Sequence, residues 1–333
     1  MTEGRRNLLQ ARPPTAMTEP LVVSQSLLVI GCFYYLPAIL AYAAAAAKDQ
    51  KRRAAVLLSA LASVVLTRVV PWSSWPAYRQ SGLWEHFLSY WRVRVVGHAA
   101  SLAPGRQAVI GVSPHGIVPY SLGLLAFGRL QTLFNSPRIV IASVVRWIPV
   151  FAQVLLWGGA VEATDSAISA ALAAGESIAL TPGGIAEMFT VAAGNVDWDA
   201  VTAEPRREVA VLASRKGFIR HALRSGAALV PVYCFGANEL FQRVRLPDAV
   251  TALSRYLRAS LLVFTGRLGL PVPFARSIVY AVGQAVLLSP TPSPTQEEID
   301  FVHNAFVRSL GRAFDEHKAE LGGAWASARL DIV

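Results

Sequence analysis

From Leu21 to Ala47 the chain runs 27 residues without one charged side chain, more than the roughly 20 helical residues needed to cross a hydrocarbon core. Such a run has to be hidden from water, in a bilayer or in a large core. The basic connector Lys48-Asp49-Gln50-Lys51-Arg52-Arg53 follows, and residues 54–71 are again apolar apart from a few hydroxyls and Arg68. The pattern predicts a transmembrane helical hairpin over 21–71, with both of its flanks on one side of the membrane. A cleaved signal peptide fits less well: its apolar core usually spans about 7–15 residues, and here a second apolar segment follows at once. Arg5, Arg6 and Arg12 compete with Lys48, Lys51, Arg52 and Arg53 for the cytosolic side, so charge leaves the orientation open.

Residues 1–20 are polar and unpatterned, with Pro13-Pro14, and are expected to be a disordered tail. After the hairpin, Trp72, Trp75, Trp84 and Trp91 crowd together, and Trp84, Phe87, Leu88, Trp91 and Val95 recur at helical spacing. Two readings of 72–105 follow. One is a helical segment lying in the membrane interface; the other is an ordinary amphipathic helix packed under a soluble domain.

With 53% hydrophobic and 16% charged residues, the 333-residue chain has material for an anchor and one large domain. Its formal charge of +10 suits anionic headgroups, nucleic acid or a phosphorylated ligand. The basic residues are dispersed, and no zinc-finger or RNA-recognition signature accompanies them, which argues against nucleic acid. HExxH, P-loop and paired zinc-ligand spacings are also absent from the sequence, so no metal is expected. Cys32 and Cys234 stand in apolar surroundings and read as small hydrophobes. The alanines at 43–47 permit close helix packing, and with it a homo-oligomer.

Beyond residue 106, short β-branched runs alternate with helical patterns. The expected strands are 108–112, 138–144, 177–180, 228–235 and 278–282. Between them, Asp165 precedes the run 166–174, Ser214 precedes 215–224, and Thr295 with Glu298 forms a capping box. This alternation predicts an α/β domain over 106–333, a mostly parallel central sheet with helices on both faces.

Three segments carry chemistry. In Gly111-Val112-Ser113-Pro114-His115-Gly116, a strand ends in a tight turn that displays His115, at the strand edge where α/β sheets collect catalytic groups. With a reference pKa of about 6.5, a histidine there can take a proton near neutral pH. In Thr181-Pro182-Gly183-Gly184-Ile185-Ala186-Glu187, two glycines after a strand can present bare N–H groups to an oxyanion or phosphate, or can simply turn the chain. In the segment 215–226, Lys216, Arg220 and Arg224 form a cationic stripe at spacing four, and Phe218, Ile219, Ala222 and Leu223 face inward.

Taken in order, the Pro-His-Gly turn, the Pro-Gly-Gly-x-x-Glu turn, the Arg-Lys-Gly-Phe helix, the strand through Pro231 and Phe235-Gly236-Ala237-Asn238-Glu239 resemble the type 2 diacylglycerol acyltransferase family. Trp147-Ile148-Pro149, Trp157-Gly158-Gly159 and Gly269-Leu270-Pro271-Val272-Pro273 support the resemblance, which spans about residues 72–290. It implies transfer of a fatty acyl group from acyl-CoA, as co-substrate and without a cofactor, to the free hydroxyl of diacylglycerol. It further implies a multi-pass protein of the endoplasmic reticulum membrane, with a cytosolic catalytic domain, lipid-droplet association and membrane-lipid partners. His115 is carried over as the catalytic histidine and Glu187 as a second catalytic position. Pro114, Gly116, Pro182, Gly183, Gly184, Arg215, Lys216, Gly217, Asn238 and Glu239 are carried over as substrate-binding positions. The family pattern often begins His-Pro-His-Gly; Ser113 stands in the first place here, which puts substrate preference in question. Monoacylglycerol and long-chain alcohols remain alternative acceptors, because the transfer chemistry is the same. Two rivals stand beside this reading. Ser113 after a strand superficially evokes a hydrolase elbow, but such an elbow requires glycine where His115 stands. A non-enzymatic, membrane-anchored lipid-binding protein would use the same basic and tryptophan-rich surface.

Overall fold

The computed structural model describes residues 6–47, 49–69, 74–191, 205–244 and 262–333. Arg5, Lys48, Pro71 and Trp72, which entered the expectations above, lie outside the described residues.

Twelve strands are described: β1 (Arg6–Gln10), β2 (Arg94–Gly97), β3 (Ala108–Ser113), β4 (Arg138–Ile141), β5 (Val161–Glu162), β6 (Ile178–Leu180), β7 (Arg207–Ala210), β8 (Ala228–Phe235), β9 (Gln242–Arg243), β10 (Phe264–Thr265), β11 (Val279–Val282) and β12 (Arg329–Ile332). Eight of them form one sheet in the order β1-β2-β11-β8-β3-β6-β4-β5. From β8 to β5 every neighbouring pair is parallel. β11 runs antiparallel to β8, and β1 antiparallel to β2. The sheet is therefore mixed, which corrects the expectation of a mostly parallel one. An antiparallel neighbour needs no crossover helix, and among the described residues the link from β8 to β11 holds only tight 3-10 turns and the β9/β10 pair.

Alternation along the strands builds a core on each face. Val230, Val232 and Cys234 of β8 join Ile110 and Val112 of β3 in one core, covered by the helix Leu83–Tyr90. Leu229, Tyr233 and Phe235 join Val109 in the other, under the helices Gly217–Ser225 and Gln296–His317. The capping box at Thr295 and Glu298 starts the last of these helices as expected.

The N-terminal region departs most from expectation. Part of the expected disordered tail is strand β1, paired with β2. The charge-free run divides into α1 (Thr18–Val29) and α2 (Cys32–Ala46), bent by 49° at the break, and α3 (Gln50–Val69) follows. Among the described residues no single helix is long and apolar enough to cross a membrane; only the bent pair α1 and α2 passes together. The expected transmembrane hairpin over 21–71 is thus not found in that form. The physical reason lies in α1, whose residues Thr18, Val22, Ser26 and Val29 line one helical face and bury it on the globular domain. α1 therefore follows the surface of the helix Leu83–Tyr90, and the chain turns away only at Gly31.

In the tryptophan-rich region Trp75 is exposed, whereas the residues that follow it at helical spacing are buried. Trp84, Phe87, Leu88, Trp91 and Val95 all sit inside the core, and Val95 belongs to β2 rather than to a helix.

Candidate active site

Because β6 and β8 flank β3 in parallel, the turns that follow these three strands emerge side by side at one edge of the sheet. Motifs separated by about 70 and 120 residues in sequence are brought together by that register alone.

His115 lies in the turn after β3. Its Nδ1 is 2.7 Å from the carbonyl oxygen of Gly116. A carbonyl can only accept, so Nδ1 carries the proton and Nε2 keeps its lone pair. Burial pushes the imidazole pKa below its usual value, and the Gly116 carbonyl opposes this only in part. The ring is therefore neutral at pH 7 and holds the base at Nε2.

Glu187 stands at the start of the helix Ile185–Met188 and is fully buried. Its carboxylate does not face the imidazole. Oε2 accepts the His115 backbone N–H at 2.7 Å, and Oε1 accepts the Val211 N–H at 3.0 Å. Burial raises the Glu187 pKa to about 7, against the pull of the two N–H donors and of Arg215. Gly183 is required for this arrangement, since a Cβ there would come within 2.2 Å of the Glu187 Cδ. Gly183→Ala is expected to displace the Glu187 carboxylate and to lower thermal stability by about 1–3 kcal/mol, measured by thermal unfolding of the purified protein. An unshifted melting curve would show that the turn yields freely. The neighbouring Gly184 N–H already donates to the Thr181 carbonyl and is not open to an oxyanion. Pro182 packs near Gly111.

Gly116, with φ +68°, closes the other flank. A Cβ at this position would lie 2.8 Å from the Ala237 carbonyl oxygen, so the turn after β8 presses directly on the histidine turn. Asn238 and Glu239 follow Ala237, but both side chains are buried away from the turn surface. The Asn238 amide donates to Glu208 Oε2 at 2.8 Å, and Glu239 Oε1 accepts from Arg206 at 2.7 Å.

Arg215 and Lys216 precede the helix Gly217–Ser225 rather than starting it as expected, and Lys216 pairs with Asp300 at 2.8 Å. The stripe is thereby split, and Arg220 and Arg224 remain exposed on the helix. Phe218, Ile219, Ala222 and Leu223 face inward as expected. Ser113 is fully buried, and its Oγ has no hydrogen-bond partner among the described residues. A nucleophilic serine needs a base within hydrogen-bond reach, so this geometry does not support the hydrolase rival.

Just beyond His115, Tyr120 begins an aromatic row absent from the expectations. Its ring lies 4.7 Å from Trp91 and 6.2 Å from Phe241; Phe241 meets Phe264, and Phe264 meets Tyr34 of α2. Further along the sheet edge, a cavity of about 490 Å³ is bordered by Ile141, Arg146, Leu156, Val161, Glu162 and Thr164. It includes none of the motif turns.

Residues 71–326 match the family profile described as Diacylglycerol acyltransferase. The chain belongs to the diacylglycerol acyltransferase family. Among relatives, it is similar to diacylglycerol O-acyltransferase 2-like protein 6 of Bos taurus, 27% identical over 75% of this chain and 77% of that protein. It is also similar to diacylglycerol O-acyltransferase 2 of Bos taurus, 29% identical over 73% and 70% of the two chains, and to the Homo sapiens protein of that name, 28% identical over 73% and 65%. A solved structure, that of the 1-acyl-sn-glycerophosphate (LPA) acyltransferase PlsC from Thermotoga maritima, aligns with a TM-score of 0.41 and 12% identity, covering 88% of this chain and 93% of that one. The three motif turns all fall inside the span matched by the family profile.

Proposed function

We propose that this member of the diacylglycerol acyltransferase family transfers a fatty acyl group from acyl-CoA to the free hydroxyl of diacylglycerol, with His115 as general base. Beside the family match, the observation that carries the reading is the Nδ1–H bond to Gly116, which leaves the Nε2 lone pair for a substrate hydroxyl. The thioester is already activated, so no cofactor is called for and no acyl-enzyme is needed. Nε2 takes the hydroxyl proton as the alcohol oxygen attacks the thioester carbon. The tetrahedral intermediate then collapses, the C–S bond breaks, and the imidazolium returns the proton to the departing sulfur, so that CoA leaves as its thiol and Nε2 is free again. Glu187 acts here as a positioning residue, holding the backbone of His115. The aromatic row from Tyr120 toward α2 supports an apolar acyl or glyceride chain beside the base. The test is a membrane assay with labelled oleoyl-CoA and, separately, diacylglycerol, monoacylglycerol and hexadecanol. Ester formation on diacylglycerol supports the reading, product on another acceptor alone reassigns the substrate, and no product with any acceptor overturns it.

For localisation we propose the endoplasmic reticulum membrane, with α2 and α3 as the embedded part. Tyr42, Leu57, Leu58 and Leu61 on these helices are 58–76% exposed, an apolar patch that water would penalise. The connector side chains Lys51, Arg52 and Arg53 suit anionic headgroups. The triple variant Leu57→Glu, Leu58→Glu, Leu61→Glu is expected to move most of the protein from the membrane pellet to the supernatant in sedimentation of cell extracts. An unchanged pellet fraction would mean that another surface holds the membrane.

A further inference from the structure

We propose that Glu208 and Arg206, at β7, are positioning residues that hold the histidine turn from both of its flanks. The inference rests on His115 being the base.

β7 lies outside the main sheet and, among the described residues, pairs only with β12. On the first flank, the Val211 N–H that follows β7 and the His115 N–H share the two oxygens of Glu187. On the second flank, Glu208 Oε2 accepts the Asn238 amide at 2.8 Å and the Tyr233 hydroxyl at 3.1 Å. Glu208 Oε1 accepts from Arg206 Nε at 2.7 Å, and Arg206 Nη1 donates to Glu239 at 2.7 Å. The guanidinium also stacks 3.6 Å above the Trp325 ring. Asn238 and Glu239 are contiguous with Ala237, whose carbonyl abuts Gly116. The Gly116 carbonyl is in turn the acceptor that sets the His115 tautomer. A path of direct contacts thus runs from Glu208 through Asn238, Ala237 and Gly116 to the imidazole proton.

The cluster is buried: the Arg206 side chain is 10% exposed and that of Glu208 4%. A buried ion pair is weak evidence of stabilisation, since packed apolar residues of the same volume often serve as well. Holding one geometry of the turn gives this cluster a purpose that stability alone does not.

The test uses the full chain, purified in detergent micelles, as wild type, His115→Ala, Glu208→Gln, Asn238→Ala and the Glu208→Gln, Asn238→Ala double variant. The folded fraction is taken from circular dichroism and thermal unfolding. Glu208→Gln is expected to lower kcat per folded molecule by roughly 10–100-fold, because a misplacement on the order of 1 Å costs about 100-fold. KM for oleoyl-CoA should stay within about twofold, and the acid limb of the pH profile should shift as the Gly116 carbonyl moves. The double variant should be no slower than the slower single variant, since both changes act along one path. Should Glu208→Gln not fold, Arg206→Lys keeps the charge and removes the fork, with a smaller loss of kcat and the same unchanged KM expected. A folded variant with undiminished kcat, or losses that multiply in the double variant, would overturn the inference. An active His115→Ala would remove the reading of the base itself; an inactive His115→Ala beside a fully active Glu208→Gln would sink only the role of β7.

Discussion

Replacing His115 by alanine is expected to reduce acyl transfer by roughly 10²–10⁴-fold, the range over which a positioned general base contributes. The fold should survive, because among the described residues the ring's one hydrogen bond is to the adjacent Gly116 carbonyl. Residual product would come from binding and orientation of the two substrates. The pH dependence of the wild type adds a second check. The base works only when neutral, so the rate falls as pH drops through the histidine pKa. Burial lowers that pKa, so the acid limb of kcat/KM should lie below the ordinary imidazole value of about 6.5. An acid limb above that value, or near-normal activity in the alanine variant, would show that another group takes the proton.

The second large effect is expected at Glu187. Alanine there strips the acceptors from two backbone N–H groups, each costing about 1–3 kcal/mol when left buried and unpaired. The turn carrying His115 loses its tether, and a shift on the order of 1 Å is enough for about a 100-fold loss in rate. Glutamine should fall between wild type and alanine in thermal stability, because one of its two terminal groups is a donor and would face a backbone N–H. The carboxyl also ties stability to pH. Its folded pKa, about 7, lies above the ordinary carboxyl value of 4.5, so the folded state holds the proton more tightly than the unfolded chain. That contribution is fully present below the unfolded value and is lost as pH rises toward 7, by up to about 3 kcal/mol. In Glu187→Gln this slope between pH 4.5 and 7 should vanish from thermal unfolding curves; an unchanged slope would assign it to another group.

The parts of the fold legible in the sequence are those where local pattern and burial agree. β3, β6, β8 and β11 are apolar runs of β-branched and aromatic residues held between two cores, and their positions follow directly. The direction of β11 is not written in such a run, because either direction presents the same alternating faces. β2 is hidden in the helical pattern because Val95 continues the spacing of Trp84, Phe87, Leu88 and Trp91. β1 looks like a tail because an edge strand can carry polar residues such as Asn7 and Gln10 toward water. At the site, His115 was legible from its turn, whereas the work of Glu187 was not. Its partners, 72 residues before it and 24 after it, are backbone groups that leave no mark in side-chain pattern. Arg206 and Glu208 carry no signal in the sequence for a related reason: two charges at spacing two look like a solvated surface until the fold buries them.

The bend at Gly31 separates two kinds of chain that the apolar run had joined. What precedes it, β1 and α1, lies on the catalytic domain, with Glu19 bonded to Arg267, Thr18 to His86 and Ser26 to Tyr120. At the far end, β12 supports β7 from residues 329–332. Neither segment falls within the family span of 71–326. A fragment cut to the limits of shared ancestry would therefore be smaller than the unit that folds. It would uncover Tyr120 and Arg267 on one side and unpair β7 on the other, so an expression boundary is better drawn by contact than by homology.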